Sequence, residues 1–103
     1  MPAHLPIEYN QLAALCQRWK ITRFELFGSI LRDDFSADSD VDVLVTFATD
    51  AHWSLFDFIR CKHELEAFFG RRVDLLTRAG VEHSRNASRR KAILQSAEAV
   101  YAA

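Results

Sequence analysis

Residues 24–45 read FELFGSILRDDFSADSDVDVLV, and the fold turns on this stretch. Residues 23–27 (RFELF) alternate polar and apolar side chains and stop at Gly28, as a short strand does. Residues 41–47 (VDVLVTF) are β-branched and apolar around one carboxylate, Asp42, which predicts a central strand. Between them, residues 29–35 have room for only a short helical turn. Asp40 and Asp42 stand two apart at the start of the second strand, so their side chains share a face.

Working outward, residues 54–69 predict the clearest helix. Leu55, Phe58, Cys61, Leu65, Phe68 and Phe69 form its apolar side, Ser54 is a fitting N-cap, and Gly70 a fitting stop. Residues 73–76 (VDLL) predict a third strand, again carrying a carboxylate, Asp74. Upstream, Leu12, Leu15, Cys16 and Trp19 recur at i, i+3, i+4 and i+7, one face of a helix. Downstream, Gly80 opens a loop, and Ile93, Ala97, Val100 and Tyr101 predict a C-terminal helix. The expected order is αβ(α)βαβα: an α/β fold with a small mixed sheet of three or more strands flanked by helices. A single domain spanning residues 1–103 is expected.

Composition narrows the function classes. Half of the 103 residues are hydrophobic and 26% are charged, which excludes disordered and collagen-like chains. Fourteen acids against thirteen Lys and Arg leave a formal charge of −1, so no whole-molecule field would hold nucleic acid. The longest run free of charged, amide and His residues is 43–49, far short of the roughly 20 that a membrane span needs. Met1-Pro2-Ala3-His4 lacks a basic start and an apolar run, so no secretory signal is expected and the cytoplasm is the default. Cys16 and Cys61 are expected as buried, reduced thiols.

Carboxylates within apolar strands demand an explanation, because a buried charge costs several kcal/mol unless paired or metal-bound. Asp40, Asp42 and Asp74 are therefore a candidate divalent-metal site, and Mg²⁺ prefers such oxygen ligands. Rim caps or salt-bridge partners are the plainer alternative. Gly28-Ser29, a glycine at a strand end followed by a hydroxyl, lets backbone amides approach a phosphate. Alone it is an ordinary turn. Beside the Asp pair it gains force, since phosphate and metal are what nucleotide chemistry requires together.

Gly28-Ser29, ten residues, then Asp40-Val41-Asp42 resembles the Gly-Ser-x10-Asp-x-Asp signature of the polymerase-β-like nucleotidyltransferases. The surrounding residues 24–45 are similar to the minimal nucleotidyltransferase (MNT) branch, and the likeness runs through VDLL into the basic-then-apolar C-terminal segment. The resemblance implies the nucleotidyltransferase fold. It implies that Gly28 and Ser29 hold the β- and γ-phosphates of a nucleoside triphosphate. Asp40 and Asp42 would hold two Mg²⁺ ions, and Asp74 would bind one of them and help deprotonate the attacking hydroxyl. Arg32 matches a basic position that steadies phosphate or pins the loop. The glycine that often follows that arginine is Asp33 here, which makes the loop stiffer and more acidic.

MNT proteins are commonly antitoxins paired with a HEPN ribonuclease toxin encoded beside them, and some add AMP to a toxin tyrosine. The resemblance thus implies an ATP- and Mg²⁺-dependent protein adenylyltransferase acting as an antitoxin. One rival is an antitoxin that only binds. Another is nucleotidyl transfer to a small-molecule hydroxyl such as an antibiotic's. A chain of 103 residues leaves little room for an acceptor site, so a partner or a second copy is expected to supply one, in a homo- or hetero-oligomer.

Other residues are expected to be plain. His4, His52, His63 and His83 have no ligand spacing. Phe56, Phe58, Phe68 and Phe69 read as core plus one exposed ring. Residues 33–50 hold six Asp and no Lys or Arg, whereas residues 71–91 hold seven Lys and Arg against two acids. Arg71, Arg72, Arg78, Arg85, Arg89, Arg90 and Lys91 form either a solvated face or an attractor for triphosphate or an acidic partner. Nothing pairs them with stacking aromatics for nucleic acid.

Overall fold

The computed structural model describes residues 7–32, 36 and 38–103; Asp33, residues 34 and 35, Pro2, Pro6 and His4 lie outside them. Helix α1 (Tyr9–Arg18) starts at Glu8, whose carboxylate accepts from the amides of Asn10 and Gln11. Strand β1 (Ile21–Phe27) leads into a 3-10 turn, Gly28–Leu31. Strand β2 (Val41–Phe47), helix α2 (Leu55–Phe69) and strand β3 (Val73–Thr77) follow. Short helices α3 (Arg78–Glu82) and α4 (Ala87–Ser96) precede strand β4 (Glu98–Ala102).

Helix α2 forms where the sequence signals place it. Ser54 and Asp57 build a reciprocal capping box, and Gly70 ends the helix in the left-handed conformation at φ 69°. The sheet order is β3-β2-β1-β4, with β2 and β3 parallel and the other pairs antiparallel. A parallel pair needs a crossover, and α2 supplies it.

Alternation along β2 divides the interior. Val41, Val43 and Val45 pack with Leu12, Leu15 and Cys16 of α1 and with Cys61 and Leu65 of α2. Leu44 points the other way, packing with Phe27, Val81 and Ile93 under α3 and α4. Asp42 belongs to this second face, at the end of the strand nearest the Gly28 turn. Cys16 and Cys61 are free and buried, and burial pushes both thiols up to about 12. Among the described residues no helix is long and apolar enough to cross a membrane.

The structure corrects three expectations. The C-terminal helix ends at Ser96, and residues 98–102 form β4 instead. The outer edge of β1 would otherwise bury unpaired amides and carbonyls, and β4 pairs with them, seating Tyr101 opposite Phe24. Gly80 lies within α3 rather than opening a loop, its amide donating to the Thr77 hydroxyl that caps the helix. The short helical turn expected after β1 is present at Gly28–Leu31, and residues 33–35 of that stretch lie outside the described residues. Leu55, expected inside, is 73% exposed: it lies at the first position of α2, on the flank away from α1.

Candidate active site

Strand β1 delivers the chain into the site through Gly28. Its φ of 75° suits glycine, and a Cβ there would lie 2.2 Å from the Asp42 Oδ2 atom. Both the conformation and the contact disfavour a side chain. The turn then brings the Ser29 amide onto the Asp42 carboxylate, while the Ser29 hydroxyl donates to the Asp40 carbonyl at 3.5 Å. The Arg32 amide closes the turn on the Ser29 carbonyl at 2.9 Å.

Register assembles the carboxylates. Asp42 faces Phe27 in β1 on one side and Asp74 in β3 on the other. Neighbouring strands lie about 4.8 Å apart, so the two side chains stand abreast on one face. Asp42 is half-buried and Asp74 exposed on the edge strand. Burial, and then the Asp74 charge, raise the Asp42 carboxyl above its ordinary range. The Ser29 amide pulls it back, Asp40 raises it further, and Arg32 lowers it.

Asp40 lies one residue before β2, and its carboxylate is turned to Arg72, with Nε 3.1 Å from Oδ1. The Arg71 guanidinium donates to the carbonyls of Ser36 at 2.8 Å and Ser39 at 3.1 Å, pinning the segment that leads to Asp40. Ser39, Asp40, Arg71 and Arg72, with Asp38 and Gly70, line a polar recess beside the carboxylates. Of the seven basic residues in 71–91, Arg71 and Arg72 therefore reach the site. The Arg72–Asp40 pairing follows from strand register: Val73 pairs with Val41, so the residues one step earlier also meet.

Sequence reasoning missed Glu25. It is 2% exposed, shares a sheet face with Asp42, and pairs with Arg78 at 2.7 Å and Arg23 at 3.2 Å. Arg78 also reaches Glu82 at 3.6 Å, so the buried charge ties α3 to β1. An alternating strand such as RFELF gives no hint that its central acid lies inward under a later helix.

Among the described residues no three His, Cys, Asp or Glu side chains gather as metal ligands. Asp42 and Asp74 stand together, but Asp40 is engaged by Arg72. The donor set still fits a hard divalent cation: two adjacent oxygen ligands, one of them raised by burial and then by its neighbour's charge, with a third carboxylate held by an exposed ion pair.

Comparisons with known proteins bear on the family and the fold. The family model described as "Nucleotidyltransferase domain" matches residues 9–100. The protein adenylyltransferase MntA of Thermococcus cleftensis is 38% identical over 68 residues, covering 66% of this chain and 67% of that protein. The alignments with the curated relatives span 59–69% of those proteins' lengths. A structure described as a minimal nucleotidyltransferase superposes with a TM-score of 0.66 at 32% identity, covering 87% of this chain and 86% of its own. A chain from the complex of a tri-AMPylated Shewanella oneidensis HEPN toxin with its MNT antitoxin shares the fold, with a TM-score of 0.61 at 16% identity and coverage of 92% and 70%.

Proposed function

Because the chain belongs to the nucleotidyltransferase domain family, we propose that it transfers AMP from ATP to a protein hydroxyl, a tyrosine of a HEPN-type toxin encoded beside it, and so acts as an antitoxin. The observation that carries this reading is the register that sets Asp42 beside Asp74, directly against the Gly28-Ser29 turn. The adenylyltransferase name of the Thermococcus cleftensis relative and the AMPylated toxin in the Shewanella oneidensis complex support the acceptor class. A reaction that draws on ATP fits the cytoplasm.

In the proposed step the acceptor oxygen attacks the α-phosphorus. An O–P bond forms, the bond to the bridging oxygen breaks, and pyrophosphate leaves with the electron pair. The acceptor's proton passes to Asp74, the exposed carboxylate at the sheet edge. Gly28 allows the phosphates to approach the backbone, the Ser29 hydroxyl holds them, and Arg32 steadies them from the end of the turn. Asp42, Asp74 and Asp40 would hold Mg²⁺, with Asp40 exchanging Arg72 for it. When bound, the metal neutralises charge on the attacking and leaving oxygens.

Incubation with α-labelled ATP, Mg²⁺ and the adjacent gene product tests the reading. Label on that product, lost with EDTA and with Asp42→Asn, is expected. An unlabelled partner that is nonetheless neutralised would refute transfer and favour an antitoxin that only binds.

A further inference from the structure

Helix α2 displays apolar surface that the fold does not cover. Leu55, Phe56 and Ile59 are 73%, 80% and 40% exposed, at the end of the helix that the capping box holds in place. Successive residues advance about 100° around a helix, so Leu55 lies about 60° from Phe58 and Ile59 about 40° further on. The flank they occupy can be assigned. On the opposite flank Glu64 accepts from Arg18 and Trp19 and faces α1. Glu66 accepts from the Val73 amide, so the flank it shares with Leu55 and Ile59 faces β3.

On that side lies a cavity of about 400 Å³. Phe58, Leu75, Leu76, Val81 and Ile93 line it. Leu75 and Leu76 point to opposite faces of β3, so the cavity wraps the free edge of the sheet. Arg89 and Arg90 of α4 line it too, within a segment, 85–91, that holds four cations and no acid. Leu76 is two residues from Asp74 on the same strand face, about 7 Å along β3. The pocket and its basic border thus lie beside the proposed reaction centre, and the apolar residues at the start of α2 lie further along the same edge of the sheet.

The geometry points to this surface as the dock for the protein acceptor. The partner it fits is acidic: it inserts one apolar side chain beside Phe58, packs against Leu55, Phe56 and Ile59, and sets carboxylates against Arg89 and Arg90. The inference rests on the protein-acceptor reading and adds where the acceptor is gripped. A small acceptor would fill the cavity without needing the exposed ring of Phe56. The acidic character follows from the cations that border the cavity.

The test combines Leu55→Ser with Phe56→Ser and, separately, Arg89→Glu. Calorimetry measures binding of the adjacent gene product, and kinetics give KM for that product and for ATP. The double variant is expected to weaken binding and raise acceptor KM about tenfold or more, with ATP KM and Tm unchanged. Arg89→Glu should weaken binding and flatten its salt dependence. Undiminished binding by the double variant overturns the docking surface while leaving AMP transfer standing. Absence of transfer by the wild-type protein overturns the reading beneath it and the dock with it. A raised ATP KM would give the cavity to nucleotide, and a dimer of the chain alone, dissolved by the double variant, would give the surface to a second copy; either overturns the proposal.

Discussion

Gly28→Ala is the substitution whose outcome the geometry sets most sharply. The new Cβ would lie 2.2 Å from the Asp42 Oδ2 atom and 3.1 Å from its Cγ atom. Carbon and carbonyl-type oxygen meet at about 3.3 Å even in close contacts, so the carboxylate must retreat by about 1 Å. Retreat takes it off the Ser29 amide, a bond to a charged acceptor worth roughly 1.5–3 kcal/mol when well buried and less at this half-buried position. The left-handed backbone adds about 1–2 kcal/mol, partly offset by the stiffer unfolded chain. A net loss of about 2–3 kcal/mol should lower Tm by roughly 10–20 °C. Gly70→Ala is the control, since Gly70 has a φ of 69° but a Cβ added there would meet nothing within 4 Å. It should cost about 1 kcal/mol and leave transfer intact, whereas Gly28→Ala should abolish transfer. Thermal melts and label transfer, both run below the lower Tm, separate the two effects. Equal activity in the two variants would refute the claim that close approach to Asp42 is what requires Gly28.

Asp42→Asn should abolish transfer and change the pH dependence of stability. A carboxyl raised above its ordinary 3.8 keeps a proton that the unfolded chain has lost, so ionised Asp42 costs stability as pH rises above that value. The variant should therefore gain on wild type at neutral pH and lose the gain below about pH 4; a pH-independent difference in urea titrations would contradict this. Arg78→Met removes the nearer partner of the buried Glu25 and should cost about 3 kcal/mol, the low end of the usual range because Arg23 remains. A loss below 1 kcal/mol in the same titrations would show that Arg23 suffices. Arg72→Gln breaks an exposed pair, so stability should change by less than about 1 kcal/mol. Mg²⁺ affinity, measured by calorimetry without nucleotide, should rise as Asp40 is released, and a fall would mean that Arg72 orders the site.

The parts of this fold written in local chemistry were legible. Ser54 and Gly70 bracket α2 because capping is decided within a few residues. The alternation of VDVLV announces a strand with Asp42 turned from the valines. Residues 98–102 were not legible, because EAVYA has no strong preference of its own and becomes a strand only where β1 offers an edge. Ile93 is helical as expected, but Ala97, Val100 and Tyr101 continued its spacing by coincidence. The candidate site divides similarly. Gly28, Ser29, Asp40, Asp42 and Asp74 stand out as residue types misplaced in their local context. Glu25 and the Asp40–Arg72 pair depend on which strands and helices meet, which the spacing of one chain does not encode.

The parallel pairing of β2 with β3 has a consequence for how such a protein can change. The spacing of Asp42 and Asp74 is a count of backbone hydrogen bonds, and a slip of one residue would turn Leu75 into the site and Asp74 away from it. The outward side of α2, which merely spans the gap between these strands, has no part in that count. Substitutions on that side would leave the spacing of Asp42 and Asp74 unchanged. Under the proposed reading, reaction and recognition could therefore diverge independently: one is fixed by strand register, the other by the outward side of the helix that joins the strands.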